Sequence, residues 1–181
     1  MDVGTGAGLP GIPLKIMRPD IKLTLLDSLG KRIAFLEQVC KELEIDAQIV
    51  KARAEDDARG ARREAFDLVF ARALAPLNTL SELLLPFARP GALAVAFKGP
   101  GADEELAAAA NALSVLRGEA RIWSAKLSWG ERKLVCIKKL ARTPAKYPRQ
   151  AGTPNACRYD GEFCRNHTSF VNLAGEGVFM W

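Results

Sequence analysis

The sequence predicts an α/β fold with a mostly parallel sheet and an antiparallel last strand, on three observations. Short apolar runs alternate with helical patterns along most of the chain, which is the signature of stacked strand–helix units. Gly4, Gly6 and Gly8 crowd a point where such a run gives way to a helical pattern, the place of a strand-to-helix turn. Further on, Arg121 to Leu127 and Lys133 to Lys139 are both strand-like and are joined by Ser-Trp-Gly-Glu-Arg with no helix between them. That is a hairpin.

Size and composition set the frame for these elements. With 181 residues, 49% of them hydrophobic and 26% charged, the chain suits one soluble globular domain with a real core. Glu82 and Arg89 interrupt the longest apolar candidate, Ala73 to Phe97, so a membrane span is excluded. The opening residues lack the charged start and apolar core of a secretory signal, and a cytoplasmic protein is expected.

The elements follow in order. Leu23 to Leu26 reads as a buried strand, with Asp27 at its end and Ser28 as the N-cap of the next helix. That helix sets Leu29, Ile33, Leu36, Val39, Cys40 and Leu43 on one face. Gln48 to Val50 and Phe66 to Ala71 are the next strands. Helices are expected from Pro76 to Phe87 and from Asp103 to Leu116, the second opening on three acids. Pro90 and Gly91 turn the chain into the strand Ala92 to Lys98. The domain thus delimited spans residues 1–140, followed by a basic arm over 141–154 and a tail over 155–181 without periodicity.

Charge and cysteine usage add two expectations. Arg132, Lys133, Lys138, Lys139, Arg142, Lys146, Arg149 and Arg158 follow one another with no acid between Glu131 and Asp160; this is either a solvated arm or a phosphate-binding one. Cys40 and Cys136 lie in apolar segments as small hydrophobes. Cys157, Cys164 and His167 match no common zinc spacing, so no metal site is expected.

The glycine turn and Asp27 carry the chemistry. Asp2, Gly4, Gly6 and Gly8 spell DxGxGxG, and Gly6, Gly8 and Gly11 equally satisfy GxGxxG; the turn alone does not separate a nicotinamide enzyme from an S-adenosylmethionine enzyme. Asp27 can accept both ribose hydroxyls in either case. Asp2 ahead of the first glycine, Ala54 and Glu55 after the third strand, and the closing hairpin favour S-adenosyl-L-methionine.

Taken together, DVGTGAGLPGIPLKI, LLDSLGKRIAFLEQV, KARAED, FDLVFARALAPL, AFKGP and KYPRQAGTP resemble the glucose-inhibited division protein B family, the bacterial 16S rRNA guanine-N7 methyltransferases. The resemblance covers residues 1 to about 154. It implies a Rossmann-like S-adenosylmethionine-dependent methyltransferase fold and methylation of a guanine at position 527 of 16S rRNA in the small ribosomal subunit. It also implies cofactor contacts at Gly4, Leu9, Ala54, Glu55 and Arg72, with Asp27 on the ribose by the general methyltransferase pattern. Thr5, Gly6 and Gly8 of the turn and Ser28 beside Asp27 complete the expected cofactor-binding set.

Guanine N7 carries a lone pair and no proton, so its methylation requires no general base and no catalytic acid or base is assigned. Consistently, the fourth strand ends in Phe-Ala-Arg-Ala, not in the motif that methylases of exocyclic amines place there. Arg72 either orients the methionine carboxylate or an RNA phosphate, or pairs with a neighbouring acid. Lys98, at the same sheet edge, and Lys146, Tyr147 and Arg149, in the arm, are the expected RNA contacts; a tyrosine packed on the domain and a solvated lysine are the duller accounts. The protein is expected to work as a monomer. A nicotinamide-dependent oxidoreductase and a catalytically impaired RNA-binding remnant are the competing functions.

The family resemblance also brings a helical N-terminal section and a full first strand, whereas only Met1, Asp2 and Val3 precede Gly4 here. The expectation is that this strand lies mid-sheet, that its neighbours lack ladder partners, and that a fuller first strand would restore stability and activity.

Overall fold

A computed structural model describes residues 1 to 150 except Trp129. The Cys157, Cys164 and His167 string, the end of the arm and the tail from Asn155 lie outside the described residues. The chain forms β1 (Asp2–Val3), α1 (Gly11–Met17), β2 (Leu23–Asp27), α2 (Gly30–Glu42), β3 (Ala47–Lys51), α3 (Ala54–Asp57) and β4 (Phe66–Arg72). Then come α4 (Leu77–Leu84), β5 (Ala88–Lys98), α5 (Ala102–Val115), β6 (Gly118–Leu127) and β7 (Gly130–Lys139). One seven-stranded sheet results, in the order β3-β2-β1-β4-β5-β7-β6. The five strands from β3 to β5 are parallel, and β7 runs antiparallel to both β5 and β6. No described helix is long and apolar enough to cross a membrane.

Alternation along the strands builds a core on each side of the sheet. Val3, Leu26, Val69, Ala71, Ala94, Ala96, Val135 and Ile137 point to one face, where α4 and α5 bring Leu77, Leu80, Leu84, Ala109 and Leu113. Leu23, Leu25 and Phe70 point to the other, against Ile12 of α1 and Leu36 and Cys40 of α2. Strands buried on both faces account for the apolar run Val69–Ala71 and for Leu23–Leu26, where Thr24 too is buried.

Three element readings are corrected. The first strand is short but not unpartnered: Asp2 is in register with Leu25 and with Phe70. Met1 extends its ladder, since its carbonyl accepts from the Phe70 N–H at 2.9 Å and its nitrogen donates to the Leu68 carbonyl at 2.7 Å. Ser28 is exposed and does not cap α2; Leu29 is the N-cap residue, and its N–H is bonded by the Asp27 carboxylate at 3.0 Å. β5 begins at Ala88, before Pro90, because Phe66 pairs with Ala88 and Leu68 with Leu93, leaving Pro90 and Gly91 in a register shift.

The basic arm is also not free. Over residues 143–149 it is strapped across the domain by acids and arginines that precede it in the chain. Glu64 accepts from Lys139 Nζ at 2.9 Å and from the Thr143 N–H at 2.8 Å. Arg63 donates to the carbonyls of Thr143 and Tyr147, each at 2.8 Å, and Arg59 donates to the Pro148 carbonyl at 2.9 Å. Glu82 of α4, wholly buried, accepts from the Arg149 N–H at 2.6 Å and from its Nη2 at 2.7 Å. A buried carboxylate stands only with such partners.

Two predictions follow from the strap. Arg149→Ala leaves Glu82 buried without its guanidinium and should cost about 3 to 5 kcal/mol in urea unfolding; a loss under 1 kcal/mol would mean that water reaches Glu82 at no cost. Burial raises the Glu64 carboxyl, but the Lys139 ammonium, the Thr143 N–H and the Arg63 charge outweigh it and hold the group below its ordinary 4.5. A depressed carboxyl stabilises the fold above its unfolded value and ceases to do so as pH falls through the folded one. The Thr143 amide should therefore keep its hydrogen-exchange protection from neutral pH down to the ordinary glutamate range and lose it below. In Glu64→Gln the protection should show no such acid limb.

Candidate active site

All parallel strands present their carboxyl ends at one edge of the sheet, the edge where open α/β folds bind ligands. Gly4 leaves β1 there, Asp27 ends β2, Ala54 and Glu55 open α3 after β3, Arg72 ends β4 and Lys98 ends β5. The glycine turn starts from the Leu26 carbonyl, which accepts from the N–H groups of both Gly4 and Thr5, at 2.8 and 3.1 Å. Gly8 continues it, donating to the Thr5 carbonyl at 3.1 Å and accepting from the first turn of α1 through Ile12. Leu9 is 39% exposed at the head of that helix.

Two buried carboxylates hold the turn. Asp2 Oδ2 accepts from the Thr5 hydroxyl at 2.7 Å and from the Gly11 N–H at 2.9 Å, tying both ends of the loop to β1. Burial raises the Asp2 carboxyl above its ordinary value, opposed by those two hydrogen bonds and by the Arg72 charge. Asp27 accepts from the Gly6 N–H at 3.0 Å, from the Leu29 N–H at 3.0 Å and from Arg32 Nη1 at 3.1 Å. Its backbone carbonyl accepts from Ala52 and so fixes the approach to α3.

Positive φ angles at Gly4 and Gly6, +67° and +61°, require glycine or strain. The two differ in their surroundings. A Cβ at Gly4 would stand 2.6 Å from Leu74 Cδ1, because the loop after β4 lies directly on the turn; a Cβ at Gly6 would meet no atom within 4 Å. Gly6 thus faces open space.

The expected cofactor fits these features. Asp2 Oδ1 is buried without a hydrogen-bond partner among the described residues, and an ammonium group would satisfy it. Asp27 uses three of the roughly four acceptor positions of a carboxylate. A ribose diol would therefore share it with the turn, and the 52%-exposed Arg32 is the partner free to yield. Ala54 and Glu55 are each 8% exposed at the start of α3. Arg72 is exposed at the end of β4.

Other expected residues lie elsewhere or face otherwise. Lys98 does not reach into solvent: its side chain is 11% exposed, and Nζ donates to the Ala75 carbonyl at 2.8 Å and to Glu105 at 2.7 Å. Arg149 is turned inward onto Glu82, and Tyr147 packs against the core. Lys146 stays exposed, its ammonium 5.3 Å from the centre of the Tyr147 ring. Sequence reasoning did not single out Arg32, Leu74 or Glu105. Arg32 sits five residues after Asp27, one turn into the helix that follows, and that spacing is the signal available for it.

The fold and this edge are those of the Rossmann-like S-adenosylmethionine-dependent methyltransferases. Solved structures agree on the fold: a methyltransferase from Pyrococcus furiosus superposes with TM-score 0.57 at 15% identity, over 77% of this chain and 74% of its own. An rRNA methylase from Streptococcus thermophilus gives 0.56 at 16%, over 77% and 84%. The chain belongs to the GidB family, rRNA small subunit methyltransferase G, whose model matches residues 1–135. The ribosomal RNA small subunit methyltransferase G of Lactobacillus delbrueckii subsp. bulgaricus is 50% identical over 159 residues, 85% of this chain and 66% of the relative. That of Staphylococcus aureus is 48% identical over 158 residues, with the same coverage. The chain thus spans about two thirds of the length of these relatives.

The unequal surroundings of the two glycines give a prediction. Gly6→Ala should cost about 1 kcal/mol, from backbone strain alone, and Gly4→Ala clearly more, since Leu74 must also be displaced. Thermal unfolding of the two variants compares them; equal losses would show that Leu74 moves aside freely.

Proposed function

We propose that this chain carries the cofactor-binding and methyl-transfer core of an S-adenosylmethionine-dependent 16S rRNA methyltransferase acting on guanine N7, the position-527 type. The observation that carries the reading is the glycine turn held by Asp2 and Asp27, in a chain half identical to relatives of that name. S-adenosylmethionine, when bound, supplies a methyl group on a positively charged sulfur. Asp27 takes the ribose hydroxyls, Asp2 faces the ammonium end, and the open side of the turn at Gly6 with Ala54 and Glu55 frames the rest. Arg72, exposed at the same edge, orients a carboxylate or an RNA phosphate by charge-assisted hydrogen bonds. No residue has to remove a proton, because N7 has none. The work of the site is to align a lone pair with a methyl group and to exclude other geometries.

16S rRNA or the small ribosomal subunit is the partner. Lys146, like Arg142, stays exposed on the arm to meet phosphate, while Arg149 supports the arm from beneath. The nicotinamide alternative rests only on GxGxxG and Asp27, and the antiparallel β7 and the family speak against it. The remnant reading gains nothing from a turn that Asp2 and Asp27 hold in place.

Asp27→Ala should weaken S-adenosylmethionine binding by about 1 to 3 kcal/mol in calorimetric titration. It should also remove aniline-induced cleavage at the N7-methylated guanine of rRNA treated with the protein. Unchanged affinity in a folded variant would take Asp27 out of the site, and tight NAD binding without S-adenosylmethionine binding would overturn the reading.

A further inference from the structure

The loop between β4 and α4 lies on the glycine turn yet has no ladder of its own to hold it. Ala73 adopts φ +53°, a left-handed conformation that a non-glycine residue enters at a cost. Leu74, 39% exposed, places its side chain against Gly4 at the point where the turn leaves β1. Something outside the loop must maintain this arrangement.

Its far end is clamped from two neighbouring elements. Lys98 at the end of β5 donates to the Ala75 carbonyl at 2.8 Å and to Glu105 Oε2 at 2.7 Å. The same Glu105 oxygen, from the first turn of α5, accepts the Leu77 N–H at 2.8 Å, at the first residue of α4. One carboxylate and one ammonium therefore engage the loop from both sides of Pro76, and Lys98 is too enclosed to serve in solution.

We propose that Glu105 is a positioning residue for methyl transfer, acting with Lys98 to fix the 73–76 loop so that Leu74 and Arg72 stand in a set relation to the glycine turn. The inference rests on the methyl-transfer reading above. Glu105 touches neither cofactor nor RNA; it acts through the loop. Its position among Asp103 and Glu104 at the start of α5 offers a purely structural role as well, complementing the helix end, and the test has to separate the two.

The experiment compares Glu105→Ala, Glu105→Gln and Glu104→Gln with the wild-type chain. It measures steady-state methylation of 16S rRNA, thermal unfolding, and NMR of the Leu74 methyl groups and the Gly4 amide. Glu105→Ala should lower kcat about tenfold or more, as a displacement of order an ångström does, with KM for RNA changed less than about twofold. It should also move the Leu74 and Gly4 resonances. Glu105→Gln keeps an acceptor for Leu77 but loses the charge that pairs Lys98, and should fall between. Glu104→Gln shares only the helix end and should leave kcat and both resonances in place. Unmoved resonances in both Glu105 variants, or a kcat equal to wild type in their folded fraction, would overturn the proposal. Absence of methylation by the wild-type chain would instead overturn the methyl-transfer reading, and the Leu74 and Gly4 resonances would still decide whether Glu105 sets the loop.

Discussion

The turn between β1 and α1 must keep its shape without a strand or helix to hold it, and two buried carboxylates meet that constraint. Asp2 gathers Thr5 and Gly11, closing the loop onto the strand it left; Asp27 reaches across from β2 to Gly6. Asp2 stands between buried Met1 and Val3, and Asp27 follows buried Leu26, so the core fixes both positions. The parallel ladder puts Val3 beside Leu26, and the two carboxylates then flank the turn. A shift of one residue in that pairing would send Asp27 to the opposite face.

α4 connects this edge to the far side of the domain. Its first residue is held by Glu105 beside the loop that covers Gly4, and Glu82 near its other end anchors the returning arm through Arg149. The helix is buried almost throughout, including Ser81 and Glu82. It thus sits between the loop at one edge and the strap at the other, and packs both against the same core.

The fold was legible because it rests on local signals. Apolar runs of four or five residues, the glycine turn, and two strand-like stretches with a short connection define the sheet, and Asp27 at the end of β2 is visible from its place alone. Ion pairs between distant segments leave no such mark. Glu82 reads as a polar break in the run Leu80 to Leu85, and nothing nearby shows that Arg149 completes it. The arm reads as a solvated cationic segment because its acids, Glu64 and Glu82, are far away in the chain. Lys98 looks like a free cation at a ligand edge for the same reason: Glu105 is near in sequence, but its direction depends on how α5 packs. Ser28 fails as a cap because the helix starts one residue later, with Leu29 at the N-cap position and its N–H held by Asp27.

The strap has a consequence for how the chain is made. Its contacts join Arg59 to Pro148, Arg63 to Tyr147, Glu64 to Thr143 and Glu82 to Arg149, at separations of 89, 84, 79 and 67 residues. Contacts so distant close late, and during synthesis their second partners emerge only after every strand of the sheet has been translated. Until then Glu82 lacks the guanidinium that lets it stay buried, and the nascent domain has every reason to keep the end of α4 open to water. Completion of the arm is therefore the event that lets α4 seat fully, once every strand of the sheet has been translated.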